Sequence, residues 1–117
     1  MNFEEASYGQ GTPFDSYGPG FFRLGGRIHE GDLVVAPGGV RLWGGMADTA
    51  TLLALKGDID LVLLGTGETM VPVPGTLREP LEAAGIGIEP MSTPSACRSY
   101  NVLLGEGRRL AAAVLAL

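Results

Sequence analysis

Residues 57–70, G-D-I-D-L-V-L-L-G-T-G-E-T-M, decide how the rest of this chain must be arranged. Residues 59–64 are apolar apart from Asp60, and the run ends abruptly in a Gly-Thr-Gly turn. A short apolar run bounded by a glycine turn is typical of an interior strand that is covered on both faces of its sheet. We therefore predict a strand in the middle of a sheet, with other elements above and below it.

Composition limits the kinds of protein that this chain can be. Its 117 residues, 45% of them apolar, are enough for one domain with one core. The net charge of −5 means that nucleic acid would have to bind against the field of the whole protein. One cysteine and one histidine allow no internal disulfide and supply no metal-ligand set. We therefore expect no metal, no cofactor and no nucleic-acid partner.

The N-terminal residues differ in composition from the rest of the chain. Residues 1–19 show no strand or helix periodicity, so we predict a flexible arm there and a single domain over residues 20–117. The first nine residues carry two acids and no base, unlike a secretory signal or a mitochondrial presequence. No apolar run approaches the roughly 20 residues of a membrane-spanning helix. We expect a cytoplasmic protein that is not embedded in a membrane.

Glycine-rich turns divide residues 21–43 into four short segments, F-F-R-L, R-I-H, D-L-V-V-A and V-R-L-W. Such spacing predicts an antiparallel meander. In the fourth segment, alternation places Val40 and Leu42 on one face and Arg41 and Trp43 on the other, so one face is expected to pack and the other to be partly solvated.

The segments on either side of the apolar run have the period of helices. A short helix ending before residue 57 is predicted, with Asp48 or Thr49 as its N-cap. Thr76 and Glu79 have the spacing of a capping box and predict a second helix. A strand over residues 86–91 follows, and the order strand, helix, strand predicts that this strand runs parallel to the apolar run.

The best-marked helix lies near the C-terminus, where Thr93 is expected as N-cap and Pro94 as the first helical residue. Residues 108–117 suit either a helix, because of their alanines, or a buried strand, because of the glycine break before them. We choose the strand, since the sheet otherwise has too few members. The fold class is thus an α/β domain with a mixed central sheet, a parallel βαβ core, an antiparallel meander and two to three helices.

A ligand crevice is expected where the two parallel strands end, because the carboxyl ends of adjacent strands border the usual binding site of open α/β sheets. A helix start with a nearby arginine suits a small anion or an anionic metabolite. The predicted binding residues are Gly65, Thr66, Gly67, Thr93, Ser95 and Arg98. The alternative is that the glycines only allow a tight exit from a buried strand, since the third glycine of a dinucleotide fingerprint is missing.

Cys97 is the candidate nucleophile, because a helix N-terminus lowers the pKa of a thiol. The helical wheel, however, groups Cys97 with Tyr100, Leu103 and Leu104, which favours a packed and inert thiol. A dyad with His29 has no support in the spacing, and His29 is expected to be an exposed hairpin residue. We therefore predict no catalytic residue and lean away from an enzyme.

The opposite side of the same helix carries Arg98, Asn101 and Gly105, with Ser95, Ser99 and Glu106 in a second polar row and Val102 between the two rows. An arginine, small polar residues and a bare valine suit the close approach of a protein partner. A solvated surface with Arg98 or Arg108 paired to Glu106 is the equally weighted alternative. Neither the partner nor the oligomeric state follows from the sequence.

Several of these segments resemble one family. The turn L-L-G-T-G, the segment A-A-G-I-G-I-E-P-M and above all S-T-P-S-A-C-R-S-Y-N-V-L-L-G-E-G-R-R-L-A-A-A-V-L are similar to a small uncharacterised α/β family, an Mth-type domain of unknown function, that includes assembly factor 3 of mitochondrial complex I. The resemblance covers residues 21–117 and is densest over 91–109. Its characteristic positions would be Gly65, Thr66, Gly67, Met91, Ala96, Arg98, Tyr100, Asn101, Glu106 and Arg108.

The resemblance implies a three-layer domain whose mixed sheet is flanked by a hairpin layer and by helices, and a terminal segment that is a strand. It also implies association with other proteins during assembly of a membrane complex, with no established reaction. On this basis we expect a non-enzymatic protein-interaction or assembly-factor-like domain, with anion or metabolite binding as the alternative.

Overall fold

The computed structural model describes residues 11–117, which form eight strands and three helices. The strands are β1 (Phe14–Gly18), β2 (Phe21–Leu24), β3 (Arg27–Glu30), β4 (Leu33–Ala36), β5 (Gly39–Leu42), β6 (Leu61–Gly65), β7 (Gly87–Met91) and β8 (Leu110–Val114). The helices are α1 (Thr49–Leu53), α2 (Gly75–Ala83) and α3 (Thr93–Gly105).

The strands form two sheets. A three-stranded antiparallel sheet has the order β1-β2-β3, and a mixed five-stranded sheet has the order β5-β4-β8-β6-β7. Strand β6 runs parallel to both of its neighbours, β7 and β8, whereas β4 is antiparallel to β5 and β8. The predicted mixed sheet with a parallel βαβ core and a terminal strand is confirmed.

Alternating side chains of the five-stranded sheet make three layers. Val62 faces a core that includes Leu77 of α2, whereas its neighbour Leu63 faces a core that includes Tyr100 of α3 and Phe22 of the smaller sheet. Helices α1 and α2 thus cover one face of the large sheet, and α3 and the small sheet cover the other. The apolar run of the sequence is buried on both sides because both faces are covered.

The middle position of the large sheet belongs to β8 and not to β6. All five residues of β8 are buried, and three of them are alanines. Small side chains suit this position because other elements pack closely against both faces of the sheet.

The predicted meander is divided between the two sheets. Its hairpins are antiparallel as expected, but β3 pairs with β2 in one sheet and β4 pairs with β5 in the other. The β2–β3 turn consists of Gly25 and Gly26, whose φ angles of 57° and 79° are those of a type I′ turn, which glycine adopts without strain.

Three expectations about local structure need correction. Residues 14–18, placed in the predicted arm, form β1, whereas residues 1–10 of that arm lie outside the described part of the chain. The proposed capping box is absent, since α2 begins at Gly75 after Pro74 without a side-chain cap. The N-cap of α3 is Ser92, whose hydroxyl accepts from the Ser95 N–H, because Thr93 makes other bonds.

The expected faces of β5 are also wrong in part. Neither face packs along its whole length, because Leu42 is 76% exposed beside the half-buried Val40, and Trp43 is 5% exposed beside the exposed Arg41. The Trp43 Nε1–H donates to the Asp48 carbonyl at 2.9 Å, and the ring packs in the core beneath α1 and α2. The N-cap role of Asp48 is confirmed, since its carboxylate accepts from the Thr51 N–H.

Candidate functional site

A groove lies between helix α3 and strand β7, and we call it the helix–edge groove. Its volume is about 410 Å³. Strand β7 is an edge strand of the five-stranded sheet. The groove is lined by Leu63, Glu89, Met91, Arg98, Ser99, Val102 and Leu103.

Side-chain alternation in β7 determines which residues reach this groove. Ile88 is buried towards α2, so its neighbours Glu89 and Met91 point to the α3 side of the sheet. Neither residue is predicted from the sequence as part of a binding site. Glu89 could have been placed on this face, because Ile88 is expected to point inward and adjacent strand residues point to opposite faces. Leu63, which lies opposite Glu89 in the β6–β7 register, is the buried floor of the groove.

The chemistry of the helix–edge groove is mostly apolar, with one charge of each sign. Val102 is 60% exposed, and Arg98 is exposed beside it. The guanidinium of Arg98 donates to the Ser95 hydroxyl at 3.4 Å and forms no ion pair with any residue of the range 11–117. Arg98 and Val102, predicted to share a docking face, therefore lie together, and both line the helix–edge groove.

Asn101 does not belong to this face. Its side-chain Oδ1 accepts from the Phe14 N–H, and its Nδ2–H donates to the Phe14 carbonyl, both at 2.8 Å. These bonds hold strand β1 against α3. Glu106, the other polar residue expected nearby, is the exposed C-cap of α3 and does not line the groove.

Of the predicted crevice residues, Gly65, Thr66, Gly67 and Thr93 lie together at the ends of β6 and β7, whereas Arg98 lines the helix–edge groove. The Thr93 Oγ1 accepts from the Gly67 N–H at 2.9 Å and donates to the Leu115 carbonyl at 2.8 Å. The Thr93 N–H donates to the Gly67 carbonyl at 2.7 Å. A Cβ built on Gly65 would lie 2.9 Å from the Val114 Cγ1 and 3.0 Å from the Thr93 Cα, so a larger residue would force these neighbours to shift.

These contacts fill the space in which an anion was expected. At the start of α3, the N–H groups of Thr93, Ser95 and Ala96 all donate to protein acceptors, and Pro94 has no N–H. The Thr66 hydroxyl is also engaged, since it donates to the Thr69 carbonyl at 2.7 Å and accepts from the Val71 N–H at 3.0 Å. Anion binding at this crevice stays a prediction, and it would require displacement of internal hydrogen bonds.

Cys97 has the environment of a packing residue. It is 3% exposed and lies in the core between α3 and the two sheets. Burial raises the pKa of this thiol to about 12, and the nearby Arg98 charge only partly opposes that effect. Cys97 thus carries its proton at neutral pH, when only a thiolate would act as a nucleophile.

A second groove, of about 340 Å³, lies where strands β3 and β5 approach each other. We call it the sheet–sheet groove. It is lined by Thr12, Leu24, Gly25, Arg27, His29 and Val40. His29, expected to be an exposed hairpin residue, is half-buried in this groove.

Within residues 11–117, no three His, Cys, Asp or Glu side chains are grouped as metal ligands. No helix of the same range combines the length and the apolar character that crossing a membrane requires.

Comparison with known proteins places these features in a family. A family model described as a protein of unknown function (DUF498/DUF598) matches residues 14–115. An uncharacterised protein of Rhodobacter capsulatus is 48% identical over 111 residues, which are 95% of this chain and 90% of that protein. NADH dehydrogenase [ubiquinone] 1 alpha subcomplex assembly factor 3 of Danio rerio is 33% identical over 112 residues, which are 90% of this chain but 64% of that protein.

A solved structure has the same fold. The crystal structure of a Bartonella henselae protein described as an outer membrane protein matches with a TM-score of 0.84 and 33% identity, covering 92% of this chain and 97% of that one. This match extends over almost the whole of both chains, so the two-sheet architecture is shared as a unit.

Proposed function

We propose that this chain, which belongs to the DUF498/DUF598 family, is a non-enzymatic protein-interaction domain of the assembly-factor kind. The name of the Danio rerio relative supports the assembly role. Because the chain spans only 64% of that relative, its partner and any link to a respiratory complex are parts of the proposal. A cytoplasmic location is likewise proposed, and it rests on the sequence.

The observation that carries this proposal is the exposed Val102 beside the helix–edge groove. Val102 is 60% exposed and lines this mostly apolar groove, so much of its side chain is free to contact a partner. Inserting an apolar side chain of a partner between Val102 and Met91 would remove both from water. The fitting partner therefore presents an apolar side chain, with an acidic group beside it that meets Arg98.

Affinity capture from the native cell tests this proposal, with identification of the captured protein. Arg98→Glu reverses the charge at the groove and should abolish capture of that protein, while thermal unfolding should hardly change because Arg98 is exposed. Arg23→Glu is the matched control, since it makes the same charge change on an exposed residue of β2 outside both grooves. Undiminished capture by Arg98→Glu would contradict the proposal.

A further inference from the structure

The two edges of the five-stranded sheet differ in how far they can accept another strand. Backbone bonds run from the Gly87 N–H to Asp60 and from the Thr66 N–H to Met91, so alternate residues of β7 point their backbone towards β6. The backbone groups of Ile88 and Pro90 therefore point away from β6, towards the open side of the sheet. Pro90 has no N–H to offer there, which protects this edge from pairing.

The β5 edge has no such protection. The Trp43 N–H donates to the Asp32 carbonyl at 3.0 Å, which makes this a hydrogen-bonded pair of the β4–β5 ladder. Since such pairs alternate with non-bonded ones, Arg41 is bonded to β4, whereas Val40 and Leu42 point their N–H and C=O groups away from it. No residue of the described chain accepts from or donates to these four groups.

Exposed apolar residues and arginines lie along this edge, while the carboxylates of Asp15 and Asp48 near its two ends accept from the Gly26 and Gly44 N–H groups. Leu42 is 76% exposed and shares a face with Val40, which lines the sheet–sheet groove next to Arg27 and His29. Arg41 projects from the opposite face of the strand. Within residues 11–117 the ion pairs are Arg78–Glu82 and Arg109–Asp60, so neither Arg27 nor Arg41 has an acidic partner.

A second copy of the chain fits this edge poorly. In one antiparallel register, Val40 of each copy pairs with Leu42 of the other. That register places Arg41 of one copy opposite Arg41 of the other, and like charges directly opposite are destabilising. A register shifted towards the C-terminus would need the Gly44 N–H, which already donates to the Asp48 carboxylate at 2.9 Å. A shift the other way reaches the β4–β5 turn, where Gly38 has a φ of 95° and is not extended.

We propose that the β5 edge binds an extended acidic segment of a partner protein as an additional strand. The segment makes up to four backbone hydrogen bonds with Val40 and Leu42. It places an apolar side chain over Leu42, one acidic side chain opposite Arg41, and a second acidic side chain in the sheet–sheet groove near Arg27 and His29. This surface is separate from the helix–edge groove, so the failure of either leaves the other intact.

The test uses a hexapeptide, acetyl-Thr-Val-Glu-Glu-Val-Thr-amide, which reads the same in both strand directions. The measurement is amide hydrogen exchange by NMR on the full chain. We expect saturable binding that slows exchange of the Val40 and Leu42 amides, by about tenfold when the peptide is at about nine times its Kd. The same peptide with lysine in place of glutamate should not bind.

Two variants make the result specific. Leu42→Pro removes the outward N–H without breaking a bond to β4 and should abolish binding, whereas Leu42→Ala keeps the N–H and should retain weaker binding. Arg41→Glu places a glutamate opposite the peptide's glutamate and should weaken binding of the glutamate peptide.

Three results would overturn the proposal. The first is the absence of any effect of the glutamate peptide up to its solubility limit. The second is unchanged binding to Leu42→Pro. The third is protection of the Val40 and Leu42 amides that grows with protein concentration in the absence of peptide, which would assign this edge to a second copy of the chain.

Discussion

The amide side chain of Asn101 forms two hydrogen bonds of 2.8 Å with the backbone of Phe14, a residue 87 positions earlier in the sequence. One bond is accepted from the Phe14 N–H and the other is donated to its carbonyl. Asn101 thus acts as a backbone substitute that ties the three-stranded sheet to α3. A residue that the sequence places on a docking face is therefore a structural residue.

Asn101→Ala should lower the free energy of unfolding by about 1–3 kcal/mol, because both backbone groups of Phe14 lose their partner in a half-buried position. Urea denaturation at neutral pH measures this. Val102→Ala, the next residue on the helix and an exposed one, is the control and should be nearly neutral. Equal stability of the two variants would show that the Asn101 bonds contribute nothing.

Thr93→Val should destabilise the protein by about 2 kcal/mol, since it keeps the shape of the side chain but leaves the Gly67 N–H and the Leu115 carbonyl without a partner. Thr93→Ser retains the hydroxyl and is the matched control. The comparison requires only thermal or urea unfolding curves. If the serine variant is as unstable as the valine variant, the methyl group and not the hydroxyl is what matters.

Tyr100→Phe should raise the free energy of unfolding by about 1 kcal/mol. The Tyr100 hydroxyl is fully buried and has no hydrogen-bond partner within residues 11–117, so it loses its water bonds on folding without replacement. The ring itself packs edge-on against Phe14 and is unchanged by the substitution. A loss of stability in this variant would reveal a hydrogen bond to the Tyr100 hydroxyl.

Stability should fall as pH rises from about 9 to about 12. Burial raises the pKa of Cys97 from its ordinary 9.0 to about 12, so in this interval the folded protein keeps a proton that the unfolded chain has released. Burial also raises the pKa of Tyr100 above its ordinary 10.0, which adds to the fall at the upper end. Urea midpoints measured across this interval should decline less steeply for Cys97→Ala, and an identical slope would contradict the assignment.

The sequence predicts the parallel half of the fold well, for physical reasons that are local. Strand β6 is a buried apolar run, and β7 and α3 are bounded by glycine and proline signals that act on their own backbone. Strand β1 could not be found in this way, because its sequence F-D-S-Y-G buries only Phe14. It is held by β2 and by Asn101, which lies far away in sequence.

The site is predictable to a smaller extent. Arg98 and Val102 follow from the helical wheel, but Glu89 and Met91 enter the groove through the pairing of β7 at the sheet edge, which periodicity does not specify. The division of the meander between two sheets is likewise a matter of long-range pairing. It decides that Leu42 lies at an open edge instead of in a core.

Photocrosslinking in the native cell tests the proposed function most directly. A photoreactive benzoylphenylalanine replaces Val102 in one variant and Ala54, an exposed residue next to α1 on the opposite layer, in the other. We predict one discrete protein adduct from position 102, its loss when Arg98→Glu is added, and no adduct from position 54. Absence of an adduct at position 102, or the same adduct from both positions, would contradict docking at the helix–edge groove.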